Sequence, residues 1–301
     1  MPKAARMPTA VFLTALDLEH TAVAEHLSAP ITERLERGLI FDVGTFEGRV
    51  SWRVAVAQAG PGNSMAGVLL ERAVSALAPE TAMFVGIAGG RKDVRHGDVV
   101  AADAVYDYES GKDGDGAYLP RIKTSAPSFA LVQRAQAVAR RARWQERIKP
   151  APPVQAPAAF VKPIAAGGKV VAHDRSATGR LLSTYCGDAL AVDMESHGFL
   201  RGAYANEGLE TLVVRGISDL LSDKTAANDE QWQVAAARNA AAFAFEVLAM
   251  ADPRAGAPAE IPGTRWFQRN HATGGGTVYA NQGGNQYIYL QARGEERDES
   301  V

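Results

Sequence analysis

Two apolar segments of this sequence end in carboxylates, and this placement is suited to chemistry on a small substrate. Segment 189–194 leads to Glu195, and segment 212–218 leads to Asp219. Both segments have the composition of buried strands. In an open α/β sheet, ligands bind outside the carboxyl ends of the strands. Two carboxylates delivered there by separate strands could act on one substrate, one as a stabilising group and the other as a proton donor.

The elements that must position these carboxylates alternate along the chain. Strand-like runs are found at 10–16, 50–59, 81–87, 97–108 and 169–172, and helical patterns begin at Asp17 and cover 64–77, 128–148 and 229–250. This alternation predicts an α/β fold with a mixed central sheet flanked by helices on both faces. Segment 111–116 is predicted to be a polar loop, and the Pro/Ala-rich segment 150–163 a surface excursion.

The bulk composition excludes several classes of function. The chain has 301 residues, 47% of them hydrophobic, which is enough for a large core, and its formal net charge of −2 gives no electrostatic case for binding nucleic acid or an anionic membrane. The single cysteine, Cys186, excludes an intramolecular disulfide, and the histidines lack metal-ligand spacing. We therefore expect neither a metal nor a cofactor. Because no run approaches ~20 apolar residues and no signal-peptide pattern stands out, we expect a cytoplasmic protein.

Four motifs, taken in order, are similar to those of a known family. They are Ala-Leu-Asp-Leu-Glu at 15–19, Gly-Ile-Ala-Gly-Gly at 86–90 with Gly-Asp-Val-Val at 97–100, Val-Asp-Met-Glu at 192–195, and Arg-Gly-Ile-Ser-Asp at 215–219. The set resembles the superfamily of purine nucleoside phosphorylases and methylthioadenosine/S-adenosylhomocysteine nucleosidases. The resemblance implies a nucleoside phosphorylase-like catalytic domain over residues 1–252 that cleaves an N-ribosidic bond.

The resemblance also implies three catalytic roles. Asp219 would donate a proton towards N7 of a purine, Glu195 would hold the ribose hydroxyls, and Glu19 would position the attacking water. Such chemistry needs an acid for the leaving base and polar groups around a sugar that becomes oxocarbenium-like. On residue types alone, however, Glu19 could serve only the dipole of its helix.

Further positions would bind the substrate or support the catalytic groups. Met194 would pack against the sugar, Arg215 would orient a carboxylate, and Ser218 would support the same loop. At the central glycine turn, the ligand would approach Ile87, Ala88 and Gly89. Taken without the rest of the set, Arg215 could equally form a purely structural ion pair with Glu195 or Asp219.

The sequence departs from the family pattern at two places. Where the phosphorylases grip phosphate with an arginine and a serine, this chain has Phe84 and Ile87, so water is the expected nucleophile. At the expected base-binding strand, Asp174 would match the family's aspartate, and Arg175 could contact the base or a charged 5′ group. The basic residues Arg91, Lys92 and Arg95 are alternative contacts for a 5′-phosphate. The choice among methylthioadenosine, adenosine and AMP or ATP therefore stays open.

Residues 253–301 differ in kind from the rest of the chain. A linker rich in proline, glycine and alanine is followed by segment 272–292, which has no charge and no proline and is rich in Asn, Gln, Gly and Tyr. This composition is typical of cross-β segments, and the segment resembles amyloid signalling motifs. We expect an assembly tail that pairs with itself or with an upstream sensor. A local hairpin or a disordered appendage fits the composition as well.

Three functions follow from these observations. The first is an effector nucleosidase of a defence or signalling system, which releases adenine from a purine nucleoside or nucleotide once the tail assembles. The second is a housekeeping methylthioadenosine/S-adenosylhomocysteine-type nucleosidase or a purine nucleoside phosphorylase. The third is a catalytically inactive assembly module, which the intact Glu19, Glu195 and Asp219 argue against. The dimers and hexamers usual in the family favour a homo-oligomer.

Overall fold

The computed structural model describes residues 6–115, 117–150, 156–222 and 226–253. The strands are β1 Thr9–Thr14, β2 Ser28–Glu36, β3 Leu39–Glu47, β4 Ser51–Gln58, β5 Thr81–Gly90, β6 Val99–Ala101, β7 Val105–Asp107, β8 Gly111–Gly114, β9 Ala117–Pro120, β10 Lys123–Ser125, β11 Ala159–Val161, β12 Ile164–Ala166, β13 Ala191–Asp193 and β14 Glu210–Leu220. The helices are α1 Asp17–Ala24, α2 Asn63–Leu77, α3 Phe129–Arg141, α4 Ala177–Tyr185, α5 Ser196–Tyr204 and α6 Ala226–Met250, with a 3-10 turn at Arg143–Arg147.

Twelve of these strands form one mixed sheet, in which parallel strands carry the centre. Strands β4, β1, β5 and β14 run parallel to one another, and β12 runs parallel to β7 and β13. The end of β5 meets β13 in antiparallel fashion, which joins the two groups. Strands β2, β3 and β4 are antiparallel and extend the sheet to one edge. The carboxyl ends of the central strands therefore meet at one end of the sheet.

Helices cover both faces of this sheet, as predicted. Strand β1 is fully buried, and its side chains alternate between two cores because successive residues of a strand point to opposite faces. Ala10 and Phe12 pack with α1, α3 and α6, and the ring of Phe12 stacks on Phe245 at 4.8 Å. Val11 and Leu13 pack with α2 and α5 on the opposite face.

The strand predicted at 169–172 is wrong. The strand in this region is β12, at Ile164–Ala166, and segment 167–173 that follows has no regular structure. The difference arises because sheet pairing, rather than β-propensity, selects the strand: β12 is the segment that lies between β7 and β13. The loop at the end of this strand consequently begins six residues before the His173–Arg175 segment predicted to occupy that position.

Other boundaries differ for local reasons. The predicted loop at 111–116 is a hairpin of β8 and β9, and the predicted strand at 97–108 is divided into β6 and β7. The helix predicted at 128–148 ends at Arg141, because Ala142 adopts a left-handed conformation with φ of 53°. The turn after it buries Trp144 against Phe243. The antiparallel pair β2–β3 has no counterpart among the predicted elements.

Two further expectations concern the C-terminal segment and membrane-spanning helices. Residues 254–301, which contain almost all of the predicted linker and assembly tail, lie outside the described residues. Across the part of the chain that the structure describes, no helix is both long and apolar enough to cross a membrane.

Candidate active site

Glu19 is held at the start of α1 by backbone donors from two elements. Its Oε2 atom accepts hydrogen bonds from the backbone N–H groups of Ala15 at 2.7 Å and Leu16 at 2.9 Å, and its Oε1 atom accepts one from Ile87 at 2.8 Å. The side chain is buried, and this burial raises the pKa of Glu19, while Arg215 and the three backbone donors act in the opposite direction. The carboxyl group is thus fixed between the end of β1 and the end of β5.

Glu195 follows β13 and is oriented by an ion pair beneath it. Its Oε2 atom lies 3.2 Å from Arg215 Nη2, and its Oε1 atom accepts a hydrogen bond from Gly62 N at 2.9 Å. Arg215 Nε in turn donates to Asp193 Oδ2 at 2.7 Å. Burial raises the pKa of Glu195, and the charge of Arg215 opposes this shift. Arg215 therefore binds the two carboxylates of the motif at 192–195.

Arg215 itself is fully buried in the middle of β14. Its guanidinium lies over the ring of Phe84, with 4.6 Å between Cζ and the ring centroid. Its Nη1 atom makes no hydrogen bond with any of the described residues. A methyl group on Gly86 would overlap both this atom and Glu19 Oε1, so Gly86 leaves the space in which the guanidinium and the Glu19 carboxyl group meet.

Asp219 lies near the end of β14, where the pairing with β5 shifts register between Ile217 and Asp219. Ser218 Oγ lies 2.9 Å from Asp219 Oδ2 and 3.4 Å from the carbonyl oxygen of Ala88, and can donate to either. A side chain at Gly89 would lie 3.3 Å from Asp219 Oδ1 and 2.9 Å from Leu221 Cδ1. The register shift and the missing side chain at Gly89 together let the Asp219 carboxyl group reach the end of the sheet.

These carboxyl groups line one cleft of about 330 Å³ at the carboxyl ends of the central strands. The cleft contains most of the residues that the sequence nominated: Glu19, Ile87, Ala88, Gly89, Met194, Glu195, Ser218 and Asp219. Arg215 is not among the lining residues, but its guanidinium contacts the carboxyl group of Glu195, which is. Its pairing with Glu195 matches one of the two ion pairs that the residue types allowed.

Asp174 and Arg175 are not among the residues that line this cleft. Asp174 Oδ1 lies 2.6 Å from His173 Nδ1, and the guanidinium of Arg175 lies 3.3 Å from the Nε2 atom of the same histidine. Because β12 ends at Ala166, the loop that reaches the cleft is 167–171, and its Lys169, Val170 and Val171 line the wall. Glycines at 167 and 168 directly after an apolar run are the signal in the sequence that marks this loop.

The basic residues considered for a 5′-phosphate also lie outside the cleft lining. Arg91 Nη1 donates to the carbonyl oxygens of Cys186 and Ala189, and Arg95 pairs with Asp98 at 3.6 Å. Lys92 lies 4.0 Å from Asp93. The cation that lines the cleft is Lys169, whose Nζ atom lies 3.1 Å from Glu109 Oε1. The two glycines before Lys169 indicate a loop, but nothing in the sequence indicates that this exposed lysine lines a cleft.

The lining of the cleft combines apolar and acidic side chains. Within the described ranges, no group of three or more His, Cys, Asp or Glu side chains is arranged to hold a metal ion. Apolar walls from Leu16, Ile87, Val171 and Met194 enclose carboxyl groups at one end. Such a combination of apolar surface with a few converging polar groups is typical of ligand pockets.

Comparison with known proteins places this fold and site in a family. The sequence profile of the phosphorylase superfamily matches residues 9–249. The chain therefore belongs to the phosphorylase superfamily. A comparison with curated protein sequences gave no significant match.

Solved structures of nucleosidases share the fold. The 5′-methylthioadenosine/S-adenosylhomocysteine nucleosidase of Neisseria meningitidis, in complex with methylthio-immucillin-A, is 19% identical with a TM-score of 0.65, over 81% of this chain and 99% of that chain. The S-adenosylhomocysteine nucleosidase of Streptococcus pyogenes is 18% identical with a TM-score of 0.67, over 82% and 98%. The futalosine hydrolase of Helicobacter pylori is 19% identical with a TM-score of 0.65, over 80% and 97%. At these identities the likeness establishes the fold.

Proposed function

We propose that the chain is a purine nucleosidase, which uses water to cleave the N-glycosidic bond of a purine nucleoside or nucleotide and releases the base. The observation that carries the proposal is the convergence of Glu19, Glu195 and Asp219, from α1 and from the ends of β13 and β14, on one cleft. Cleavage of this bond needs an acid for the departing base and polar groups around the sugar. Three carboxyl groups around one small cavity meet these needs.

Glu195 and Asp219 have different roles: Glu195 binds the sugar, and Asp219 protonates the base. The Glu195 carboxylate, oriented by Arg215 and Gly62, accepts hydrogen bonds from the ribose hydroxyls. Asp219, held by Ser218, gives its proton to the purine as the bond to the sugar breaks. The base then leaves as a neutral molecule, and the positive charge that develops on the ribosyl group is stabilised by the neighbouring carboxylates.

Glu19 orients the attacking water. A carboxylate offers about four lone-pair sites, and the N–H groups of Ala15, Leu16 and Ile87 occupy three of them. The site that is left accepts one hydrogen bond from water. Arg215 Nη1, which lies beside Glu19 Oε1 above Gly86, donates a hydrogen bond to the same water. The raised pKa of Glu19 suits a group that takes up a proton as the water attacks.

The charges around the cleft favour water over phosphate as the nucleophile. Glu19, Asp193, Glu195 and Asp219 line it, and Lys169 is the cation among its described lining residues. That lysine is paired with Glu109. Phe84 is fully buried below Arg215, and Ile87 presents an aliphatic side chain. A phosphate dianion would therefore meet four acidic groups, two of which are paired with Arg215, and one lysine that is already paired.

Adenine is the base that we propose first. The methylthioadenosine/S-adenosylhomocysteine nucleosidase of Colwellia psychrerythraea was solved in complex with adenine, and this similarity together with the motifs at 192–195 and 215–219 supports the choice. The 5′ substituent is left to experiment.

Product analysis tests the proposal directly. The full chain is incubated with adenosine, methylthioadenosine, AMP and ATP, each with and without phosphate, and the products are separated by chromatography. We expect free adenine and a free sugar in the absence of phosphate. A sugar 1-phosphate formed only when phosphate is present would establish a phosphorylase instead. Substrates that all stay intact with correctly folded protein, both alone and with preformed fibres of the segment 272–292, would contradict an enzymatic role.

We extend the proposal to regulation through the tail, on the sequence of residues 253–301 alone. Assembly of the segment 272–292 would bring catalytic domains together and switch on base release in a defence or signalling response. Adding preformed fibres of this segment to the full chain should then raise the rate of base release, whereas a chain that lacks residues 256–301 should not respond. Equal rates with and without fibres would exclude this form of control.

A further inference from the structure

The outer hairpin of the sheet ends in an unusually exposed strand. Strand β2 pairs with β3 on one side, and no strand of the described chain pairs with its other side. Eight of its nine residues are exposed and the ninth is intermediate. An open edge of this kind presents unpaired N–H and C=O groups that another strand can bind.

The turn of the hairpin defines which backbone groups point outward. Arg37 and Gly38 have φ values of 51° and 76°, as in the two-residue turns that favour the twist of a hairpin. In such a hairpin the flanking pair, Glu36 and Leu39, exchanges both hydrogen bonds, and the pattern alternates along the ladder. The N–H and C=O groups of Leu35 are therefore directed away from β3, towards the open edge.

An exposed aliphatic pair lies at the same position. Leu35 is opposite Ile40 in the ladder, and the two side chains are 69% and 54% exposed. Their neighbours on the other face, Arg34 and Glu36, are opposite Phe41 and Leu39, which are buried in the core. One face of the hairpin thus carries a short apolar row that runs to the open edge, and the other carries two opposite charges beside it.

We propose that β2 pairs in antiparallel fashion with β2 of a second copy of this chain, about a two-fold axis at Leu35. In this arrangement Leu35 is opposite the partner's Leu35, and Ile40, Leu35 and their two copies form a continuous aliphatic row across four strands. On the other face, Arg34 is opposite Glu36 of the partner subunit, and the reverse pair repeats it. Opposite charges and aliphatic pairs across strands are both stabilising.

The charge pattern disfavours three alternative registers. A symmetric antiparallel pair must place one residue opposite its own copy, because opposed side chains share a face. With the axis at Glu33, Arg34 or Glu36, that residue meets its own charge. With the axis at Leu35, the two charged residues that flank it in the strand, Arg34 and Glu36, are each opposite a residue of the other sign.

Cross-linking tests the register. In the full-length chain, Leu35→Cys would place two thiols on residues whose Cα atoms are about 5.5 Å apart, a separation that a disulfide spans. Ile31→Cys is the matched control, since this residue is 46% exposed on the same strand but lies far from its own copy in this register. The natural Cys186 is buried. Under mild oxidation we expect a linked dimer from Leu35→Cys and none from Ile31→Cys; equal linking of both, or of neither while the proteins remain folded, would overturn the proposal.

A charge swap tests the same contact without an introduced cysteine. Arg34→Glu places two pairs of like charges across the axis and should weaken association by about tenfold in sedimentation experiments at low salt. The double variant Arg34→Glu/Glu36→Arg restores opposite pairs and should recover the association. Because β2 contributes nothing to the lining of the cleft, base release should be the same in all three proteins. Association that is unaffected by Arg34→Glu, or that stays weak in the double variant, would contradict the pairing.

Discussion

Arg215 and Gly86 are opposite each other in the parallel ladder of β14 and β5, and the guanidinium of Arg215 passes over the space where a side chain on Gly86 would lie. The same space holds Oε1 of Glu19. One small residue in the centre of the sheet thus lets a buried cation approach the carboxyl group that we propose to orient water.

The first prediction is that Gly86→Ala disables the site. The added methyl group overlaps Arg215 Nη1 and Glu19 Oε1. The guanidinium is held through Nε and Nη2, and Glu19 Oε1 is held by Ile87 N, so one of the two groups must shift. A displacement of about 1 Å in a positioned group can cost about 100-fold in rate. The measurement is the kcat for base release beside the thermal midpoint of unfolding. Gly187→Ala is the control, because its methyl group would meet only Ser183 O at an ordinary 3.5 Å. Equal kcat values for the two variants would refute the importance of this contact.

A second prediction concerns the proton donor. Asp219→Asn keeps the size of the side chain and a hydrogen-bond acceptor for Ser218 but removes the acidic proton, so we expect kcat to fall by about 10²–10⁴-fold. The thermal midpoint should change little. Asp113→Asn, on the exposed hairpin of β8 and β9, should retain full activity. Normal base release by Asp219→Asn would exclude this residue as the acid.

Arg215 provides a prediction about stability. Arg215→Met removes the cation that pairs with Asp193 at 2.7 Å and Glu195 at 3.2 Å and leaves both carboxyl groups buried. Breaking a buried ion pair in this way costs about 3–5 kcal/mol of the free energy of unfolding. Arg238→Met breaks a pair with Glu25 at 3.5 Å in which both side chains are about a third or more exposed, and should cost about 0–1 kcal/mol. Denaturant unfolding of the two variants measures these losses in the free energy of unfolding. Similar losses would contradict the prediction that the buried ion pairs of Arg215 stabilise the fold more than the exposed pair of Arg238 does.

The meeting of Glu19, Glu195 and Asp219 could be predicted from sequence because it depends on strand order and direction. Glu195 and Asp219 follow, or lie near the end of, apolar runs, and ligands bind at the carboxyl ends of such strands. Glu19 was implied by the family resemblance, and the end of β13 reaches the site because it overlaps the end of β5 in antiparallel fashion. The sequence narrowed the partner of Arg215 to Glu195 or Asp219; the pairing with Glu195 was one of these alternatives, and the pairing with Asp193 was not. Which carboxylate an arginine reaches depends on the register of neighbouring strands, and here that register includes a shift at Asp219.

One wall of the cleft is formed by a segment other than the predicted one, for a definable reason. The run Lys169–Ala172 contains two adjacent valines, whereas β12 is the three-residue segment Ile-Ala-Ala after Pro163. Pairing with β7 and β13 makes the weaker segment the strand, so Lys169 and Val171 line the cleft in place of Asp174 and Arg175. The pair β2–β3 escaped prediction because β2 is exposed on both faces and shows no regular alternation.

The fourth prediction is a loss of stability in mild acid caused by His26. Burial lowers the pKa of His26 to about 4, and Arg147 and Lys149 add to the effect, while its ring stacks on Phe245 at 4.6 Å. The unfolded chain takes up this proton below its ordinary pKa of 6.5, so the stabilisation is complete above pH 6.5 and is lost as the pH falls towards 4. The shift corresponds to at most about 3 kcal/mol. His26→Phe keeps an aromatic ring and should flatten the pH dependence of the free energy of unfolding in this window. A profile unchanged by His26→Phe would contradict this account.

The last prediction separates the catalytic domain from the tail. The family profile ends at residue 249, and α6 ends at Met250 after burying Val247 and Leu248 in the core. Contacts within the described residues, such as the bond from Arg49 N to Ala249 O at 2.7 Å, hold α6 in place. Deleting residues 256–301 should therefore leave a protein that folds, has the same thermal midpoint as the catalytic domain in the full chain, and still releases the base.

The isolated segment 272–292 should bind amyloid dyes and form fibres, since it lacks charge and proline and is rich in Asn, Gln and Tyr. A truncated chain that fails to fold would make the tail part of the core, and a segment that stays monomeric and dye-negative would leave it as a simple appendage.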